Sequence, residues 1–213
     1  MSAGPGRRAG PLPMFPLGSV LFPTMAIVLH VFEERYRALT RHCLAGDRQL
    51  GVVLIERGSE VGGGDVRFGV GTRARIVEAV ESDDGRFGLG LVGVNRIRVD
   101  RWLPDDPYPR AEVDDLDDGA PGAGAGERRD TLQRTLRRVL ALKAELGEPV
   151  APATVDLDPD PVVASYQAAA LAPLGPADCQ RLLEAAGADE RLRLVVALLE
   201  DEGVVLAQRV AGG

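Results

Sequence analysis

Cysteine, lysine and aromatic residues are scarce in this sequence of 213 residues, and the shortages exclude several classes of protein. The two cysteines, Cys43 and Cys179, cannot build a disulfide framework and form no CxxC pair, so we expect a reducing, cytoplasmic location. No apolar run approaches the roughly 20 residues that a membrane span needs, which excludes an integral membrane protein. Residues 1–12 contain no apolar core, so we expect no signal peptide.

The residues from which common catalytic and metal sites are built are also few. Lys143 is the sole lysine and lies in a helical pattern, so there is no Walker A loop with a lysine to reach a phosphate. No serine stands in a GxSxG motif, and a Ser165–Lys143 dyad is conceivable only because no spacing rule forbids it. His30 and His42, with only two cysteines, are too few for a zinc site. The sequence therefore predicts no enzymatic activity, no cofactor and no metal.

One motif does occur, because Gly88-Leu89-Gly90-Leu91-Val92-Gly93 fits GxGxxG. A dinucleotide site needs these glycines to open a helix, whose N-terminus then meets the pyrophosphate. Residues 95–103 instead continue with the alternation of a strand. We therefore interpret the motif as a glycine-rich strand whose neighbours approach closely.

The charge balance disfavours nucleic acid as a ligand. The sequence holds 32 acidic and 25 basic residues, a net charge of −7. The arginines between Arg67 and Arg101 are interspersed with acidic residues rather than with aromatic ones. Nucleic-acid binding rests on basic patches, often with aromatic side chains that stack on bases. We therefore regard nucleic-acid binding as the weaker hypothesis.

Apolar spacing predicts a β-rich first half. The proline-punctuated stretches 12–17 and 20–23 predict short edge strands or extended segments, because proline removes a hydrogen-bond donor. Apolar residues at helical spacing over 32–43 predict a helix over 33–45. Short strands with glycine-rich turns then follow over 50–113, a pattern typical of a small closed or half-closed barrel.

The second half changes character after an acidic and glycine-rich stretch. Residues 117–126 predict a linker or mobile loop, and residues 127–210 carry the apolar period of helices. The predicted organisation is an α+β protein with a disordered lead over 1–11, a β-rich domain over 12–116 and an all-helical bundle over 127–210.

Several short motifs, in one order, resemble a known family. Pro13-Met14-Phe15-Pro16-Leu17 is followed by Val20-Leu21-Phe22-Pro23 and then by Leu29-His30-Val31-Phe32-Glu33-Glu34-Arg35-Tyr36. This series is similar to the N-terminal substrate-binding domain of the Lon ATP-dependent proteases. The likeness continues through Gly51-Val52-Val53-Leu54-Ile55 and covers roughly residues 12–210.

The resemblance implies a PUA-like β pseudo-barrel followed by a helical bundle. It also implies a non-enzymatic module that holds unfolded or degron-bearing protein segments, as an adaptor or a chaperone-like binder. Neither the ATPase P-loop nor the Ser-Lys peptidase domain of Lon is present in the sequence, so the chain is interpreted as a stand-alone relative. A partner protease and the oligomeric state stay open, and the alternatives are a PUA-like RNA-binding protein and a small-ligand-binding barrel.

Apolar and aromatic side chains near prolines are the candidates for holding a peptide. An extended segment bound at a groove or a sheet edge would contact such side chains. Ordinary core packing is the alternative reading for each candidate, and more so for the two on the helical stripe. The five candidates are Phe15, Phe22, Met25, Phe32 and Tyr36.

Overall fold

A computed structural model describes residues 11–58 and 64–212. The predicted lead over 1–11 lies outside the described residues except for its last position. The chain divides into two compact units between Asp117 and Asp118. The first contains strands and one helix, and the second contains helices, so the α+β class is confirmed.

The first unit contains six strands and one helix in its described residues. The elements are β1 (Leu12–Leu17), β2 (Ala26–Val31), α1 (Glu34–Ala45), β3 (Gln49–Arg57), β4 (Val66–Glu81), β5 (Phe87–Leu103) and β6 (Arg110–Leu116). The predicted helix over 33–45 is confirmed as α1. Residues 20–23, one of the stretches predicted as strand or extended, form no strand, and Thr24 then turns the chain with a left-handed φ of 65°.

The strands are hydrogen-bonded in the order β2-β5-β4-β3-β1-β6, and β6 also pairs with β5. Five strands therefore form a closed ring of pairings, and β2 lies outside it. This is possible because β5 is long: residues 87–92 pair with β2, and residues 96–103 pair with β6. Among the described residues no strand pairs with the other side of β2, so β2 is an edge strand.

The main core of this unit lies between the sheet and α1. Phe87, Leu89 and Leu91, at alternate positions of β5, are buried in one cluster with Tyr36 and Leu39 of α1. Full burial of a large apolar side chain contributes about 1.5–3 kcal/mol. The helical stripe in the sequence therefore fixes α1 on the sheet.

The GxGxxG segment lies inside β5, which confirms its interpretation as a glycine-rich strand. A Cβ atom at Gly93 would lie 2.3 Å from the carbonyl oxygen of Phe22, so only glycine fits this approach of two backbones. At Gly88 a Cβ atom would meet nothing within 4 Å. Steric contact therefore requires glycine at position 93, whereas no neighbouring atom requires it at position 88.

We expect Gly93→Ala to lower the free energy of unfolding by about 1–3 kcal/mol, because backbone atoms must move apart to admit the methyl group. Gly88→Ala, in the same strand, is the matched control and should change stability by less than about 0.5 kcal/mol. Urea denaturation of both variants tests this. Equal stability of the two variants would contradict the close approach at Gly93.

The second unit contains four helices in its described residues: α2 (Ala125–Glu145), α3 (Pro161–Leu171), α4 (Pro176–Glu184) and α5 (Ala188–Gly212). Helix α2 begins slightly before the predicted position 127, because Ala125 and Gly126 join its first turn. Asp160 caps α3 by accepting a 2.8 Å hydrogen bond from the backbone N–H of Val162. Proline at the next position suits a helix start, since its missing N–H would have no helical partner there.

A buried arginine lies at the centre of this unit. Arg191 of α5 is fully buried, and its guanidinium donates to Asp118 Oδ1 at 3.0 Å and to Ser165 Oγ at 2.8 Å. The guanidinium carbon also lies 3.7 Å from the centroid of the Tyr166 ring. Ser165 therefore accepts from an arginine and donates to the carbonyl of Val162, and it forms no dyad with a lysine.

Candidate functional site

The free edge of β2 is the first feature of the site. The hydrogen bonds of Gly93 in β5 show which backbone N–H and C=O groups of β5 point toward β2. The Gly93 N–H donates to the carbonyl of Met25 at 2.9 Å, and the Thr24 N–H donates to the carbonyl of Gly93 at 2.9 Å. Backbone groups of alternate residues point to the same side of a strand. The polar backbone groups of Leu91 and Leu89 therefore point toward β2 as well.

On β2 the same alternation shows which groups face outward. Leu89 pairs with Leu29, so the backbone N–H and C=O of Leu29 face β5. The N–H and C=O of its neighbours Val28 and His30 then face the free edge, where no described strand lies. The sequence of β2, AIVLHV, lacks the proline, lysine and glutamate residues that commonly blunt an exposed edge.

Strand β1 lies across a gap from this edge and cannot close it. Residues 14–17 of β1 pair with β3, whereas β6 pairs only with Leu12 and Pro13. The Met14 N–H points to the β6 side, where it donates to the carbonyl of Pro109 at 2.8 Å. Two residues later Pro16 faces the same side without an N–H. No strand of the described residues therefore closes the gap between β1 and β2.

A cavity of about 150 Å³ fills this gap, and we call it the seam cavity. Its aromatic lining includes Phe15 and Tyr36, whose rings stack with centroids 4.2 Å apart and planes at 18°. Burial raises the pKa of Tyr36 to about 12, so the phenol is neutral at ordinary pH. The lining residues are Phe15, Leu17, Val28, Leu29, His30, Val31, Phe32, Glu33 and Tyr36.

A second recess of about 440 Å³, the outer groove, lies at the end of β2, β4 and β5. Gly88 pairs with His30 on one side and with Val80 on the other, so its missing side chain leaves a trough between them. Asp84 and Arg86, joined by a 2.9 Å ion pair, lie among its polar lining residues. The lining residues are His30, Val31, Phe32, Val80, Ser82, Asp84, Arg86, Phe87 and Gly88.

Exposed apolar side chains concentrate around these two cavities. Eight large apolar side chains are exposed among the described residues, and four belong to β2, the residue after it or the paired part of β4. Phe32, 55% exposed, lines both cavities. The four are Val28, Phe32, Val77 and Val80.

The structure brings three of the five predicted site residues together. Phe15, Phe32 and Tyr36 line the seam cavity, although Phe15 and Tyr36 are otherwise buried. Phe22 is 2% exposed, so the exposure expected of it is not found. Met25 is half-buried and packs against the core cluster that contains Phe15 and Tyr36. Neither Phe22 nor Met25 lines the seam cavity or the outer groove.

Sequence reasoning missed Val28, Val80 and Gly88 as parts of this site. Val28 carried no local signal, because every residue of AIVLHV except His30 is apolar and the alternation of exposed and half-buried side chains appears only in the structure. Val80 and Gly88 become neighbours of His30 only through the register of three strands, which the sequence does not reveal.

Residues 11–58 and 64–212 form neither a candidate metal site nor a candidate membrane-spanning helix. No group of three or more histidine, cysteine, aspartate or glutamate side chains there is placed to hold a metal ion. No helix of this part of the chain is long and apolar enough to cross a membrane. The described site is therefore a pair of apolar-lined recesses at a strand edge.

The fold and the site define an α+β protein in which five strands form a ring of pairings, β2 has a free edge among the described residues, and the second unit is helical. The chain belongs to the family of the ATP-dependent protease La (LON) substrate-binding domain, whose family model matches residues 11–201. The family resemblance of the sequence motifs is thereby confirmed.

Curated relatives are Lon proteases. The chain is 30% identical over 200 residues to Lon protease 2 of Herpetosiphon aurantiacus, which covers 92% of this chain and 24% of that protein. It is 30% identical over 211 residues to Lon protease 2 of Sorangium cellulosum, which covers 92% of this chain and 25% of that protein. The chain therefore spans about a quarter of the length of these relatives.

Solved structures of Lon N-terminal domains share the fold. A Lon N-terminal domain protein from Xanthomonas campestris superposes with a TM-score of 0.64 at 29% identity, covering 88% of this chain and 98% of that chain. The N-terminal domain of a Mycobacterium avium complex Lon protease gives a TM-score of 0.69 at 16% identity, covering 90% and 99%. At that identity the second likeness concerns the fold alone.

Proposed function

We propose that this protein holds extended apolar segments of unfolded or degron-bearing proteins at the edge of β2. The observation that carries the proposal is Phe32, a large aromatic side chain more than half exposed between two recesses. Contiguous exposed apolar surface rimmed by polar groups is typical of interaction sites. The family to which the chain belongs is described as a substrate-binding domain, which supports the same function.

The proposal includes an architecture and a role. The closed ring of β1, β3, β4, β5 and β6 would be the PUA-like pseudo-barrel, and the second unit its helical bundle. The protein would act without enzymatic activity, as a cytoplasmic adaptor or chaperone-like binder that presents clients to a protease. The non-enzymatic part of this role is supported by the sequence, which contains no Walker A or GxSxG motif.

Binding at this site should be weak and governed by apolar contact. The recesses are small, and interfaces below about 1,200 Å² are typically transient. Ordering an extended segment also offsets much of the gain from burial. We therefore expect a dissociation constant on the order of micromolar.

The salt dependence of binding separates this function from RNA binding. We expect the affinity for a labelled, permanently unfolded protein to change less than about threefold between roughly 50 and 200 mM salt, because burial drives it. Several phosphate contacts would instead weaken RNA binding by orders of magnitude over that range. Fluorescence anisotropy with both ligands makes the comparison. Salt-sensitive binding of single-stranded RNA, without binding of unfolded protein, would reverse the assignment.

The trough at Gly88 gives a second test. We expect Gly88→Leu to lower the affinity for unfolded protein at least about fivefold, because the new side chain fills the outer groove. Stability should change little, since a Cβ atom at Gly88 meets nothing within 4 Å. Gly69→Leu, at another glycine of this unit with open space around its Cβ position, is the matched control. Unchanged binding by Gly88→Leu would exclude the outer groove from the site.

A further inference from the structure

We infer that the bound segment joins the sheet, pairing its backbone with the free edge of β2 in the gap between β2 and β1. This inference rests on the proposed function and adds the mode of binding. The ligand class is then an extended polypeptide whose own N–H and C=O groups pair with β2 while its apolar side chains are buried in the recesses.

The free edge supplies the hydrogen-bonding groups that such a segment needs. The N–H and C=O groups of Val28 and His30 point away from β5, and no described strand pairs with them. Their spacing of two residues is the repeat at which a neighbouring strand forms hydrogen bonds. An apolar edge without proline, lysine or glutamate is a template for one more strand.

The opposite wall explains why no described strand of this chain pairs with the free edge of β2. Phe15 and Leu17 of β1 line the seam cavity with Val28 and His30 of β2, and Pro16 between them has no N–H to donate on the side that β6 leaves unpaired. Direct pairing of β1 with β2 would lack that donor. A separate segment can supply donors and acceptors to β2 without requiring any from Pro16.

The shape of the site selects an extended segment over a second folded copy of this chain. The free edge of β2 is not on an open face, because Phe15 and Leu17 line the same cavity as Val28 and His30. A folded partner would have to bring its own edge strand between β1 and β2. A single unfolded segment has no such obstacle.

The two recesses then receive alternate side chains of the segment. Side chains of a strand point to opposite faces in turn. Side chains on the inner face would enter the seam cavity beside Phe15 and Tyr36. Side chains on the outer face would lie beside Val28 and His30, and His30 also lines the outer groove. We therefore expect a preference for apolar residues at every second position and an intolerance of proline.

Backbone N-methylation of a probe peptide tests the inference. The probe is a short synthetic peptide of alternating valine and threonine, flanked by lysines for solubility, with one N-methyl group placed at each position in turn. We expect affinity to fall at least about threefold at every second position only, since alternate N–H groups donate to β2. Affinity that is insensitive to N-methylation at all positions would overturn the inference.

A proline substitution in β2 tests the protein side. Val28→Pro removes an N–H that faces the free edge and leaves the hydrogen bonds of Ile27 and Leu29 to β5 in place. We expect it to lower peptide affinity at least about tenfold, whereas Val28→Ala, which keeps the N–H, lowers it less than about threefold. Equal affinities of the two variants would contradict strand addition.

The outcomes separate this inference from the proposed function. Binding of the unmodified peptide and of all N-methylated peptides with equal affinity would leave the proposed function standing and remove strand addition. Failure of both the peptide and a permanently unfolded protein to bind would remove the proposed function. A dimer in sedimentation that Val28→Pro dissociates, with no peptide binding, would assign the edge to a second copy and overturn the inference.

Discussion

Phe32→Asp should lower the affinity for unfolded protein at least about thirtyfold, the effect expected of an anchor residue at a small interface. Phe32 lines both the seam cavity and the outer groove, so a carboxylate there places a charge where an apolar segment must lose its water. The fold should persist, because the side chain is 55% exposed. Fluorescence anisotropy measures the affinity, and far-UV circular dichroism checks the fold.

Val94→Asp is the matched control for this variant. Val94 lies in β5, is 45% exposed, and lines neither the seam cavity nor the outer groove. We expect it to bind like the unmodified protein. An equal loss of binding by both variants would mean that added negative charge, and not the place of Phe32, weakens the interaction.

Arg191→Met should lower the free energy of unfolding of the second unit by about 3–5 kcal/mol. The guanidinium is fully buried and forms an ion pair with Asp118 at 3.0 Å, so its removal takes this cation from a carboxylate that is 18% exposed and also accepts a hydrogen bond from the Tyr166 hydroxyl. Ser165 also loses its 2.8 Å donor. Urea unfolding followed by far-UV circular dichroism measures the change, because this unit holds most of the helix.

Arg193→Met provides the comparison, since Arg193 lies on the exposed side of the same helix. It should change the free energy of unfolding by less than about 0.5 kcal/mol. The double variant Arg191→Met with Asp118→Asn should recover part of the loss, because no charge is then left unpaired. A loss below about 1 kcal/mol in Arg191→Met would show that the buried pair is not a main support of the second unit.

Local patterns in the sequence were enough for several elements of the fold. The stripe over 32–43 predicts α1 because a helical face depends on residues three and four apart. The alternation after Gly93 correctly separates a glycine-rich strand from a dinucleotide loop. The family resemblance rests on many short motifs in one order, and the match to residues 11–201 confirms it.

The positions of single side chains were less predictable. The helical spacing in the sequence includes Phe32, yet α1 begins at Glu34, so Phe32 precedes the helix and its side chain is exposed. Phe22 was expected near an exposed edge, but the chain packs it in the core and turns at Thr24. A proline-rich segment shows where a strand loses donors and does not show which face the fold covers.

The gap between β1 and β2 could not be predicted because it depends on long-range pairing. The gap exists because one side of β5 pairs with β2 along residues 87–92 and with β6 along residues 96–103. The outer groove likewise needs the register that sets Gly88 between His30 and Val80. Such contacts join residues far apart in the chain, where local periodicity carries no information.

Site-specific photocrosslinking tests the central claim most directly. A photoreactive phenylalanine analogue at Phe32, which lines both recesses, and at Val94, which lines neither, is irradiated with labelled unfolded protein. We predict crosslinking from position 32, its loss when the unlabelled alternating peptide competes, and little crosslinking from position 94. Equal crosslinking from both positions, or none from position 32, would contradict the assignment of the β2 edge as the binding site.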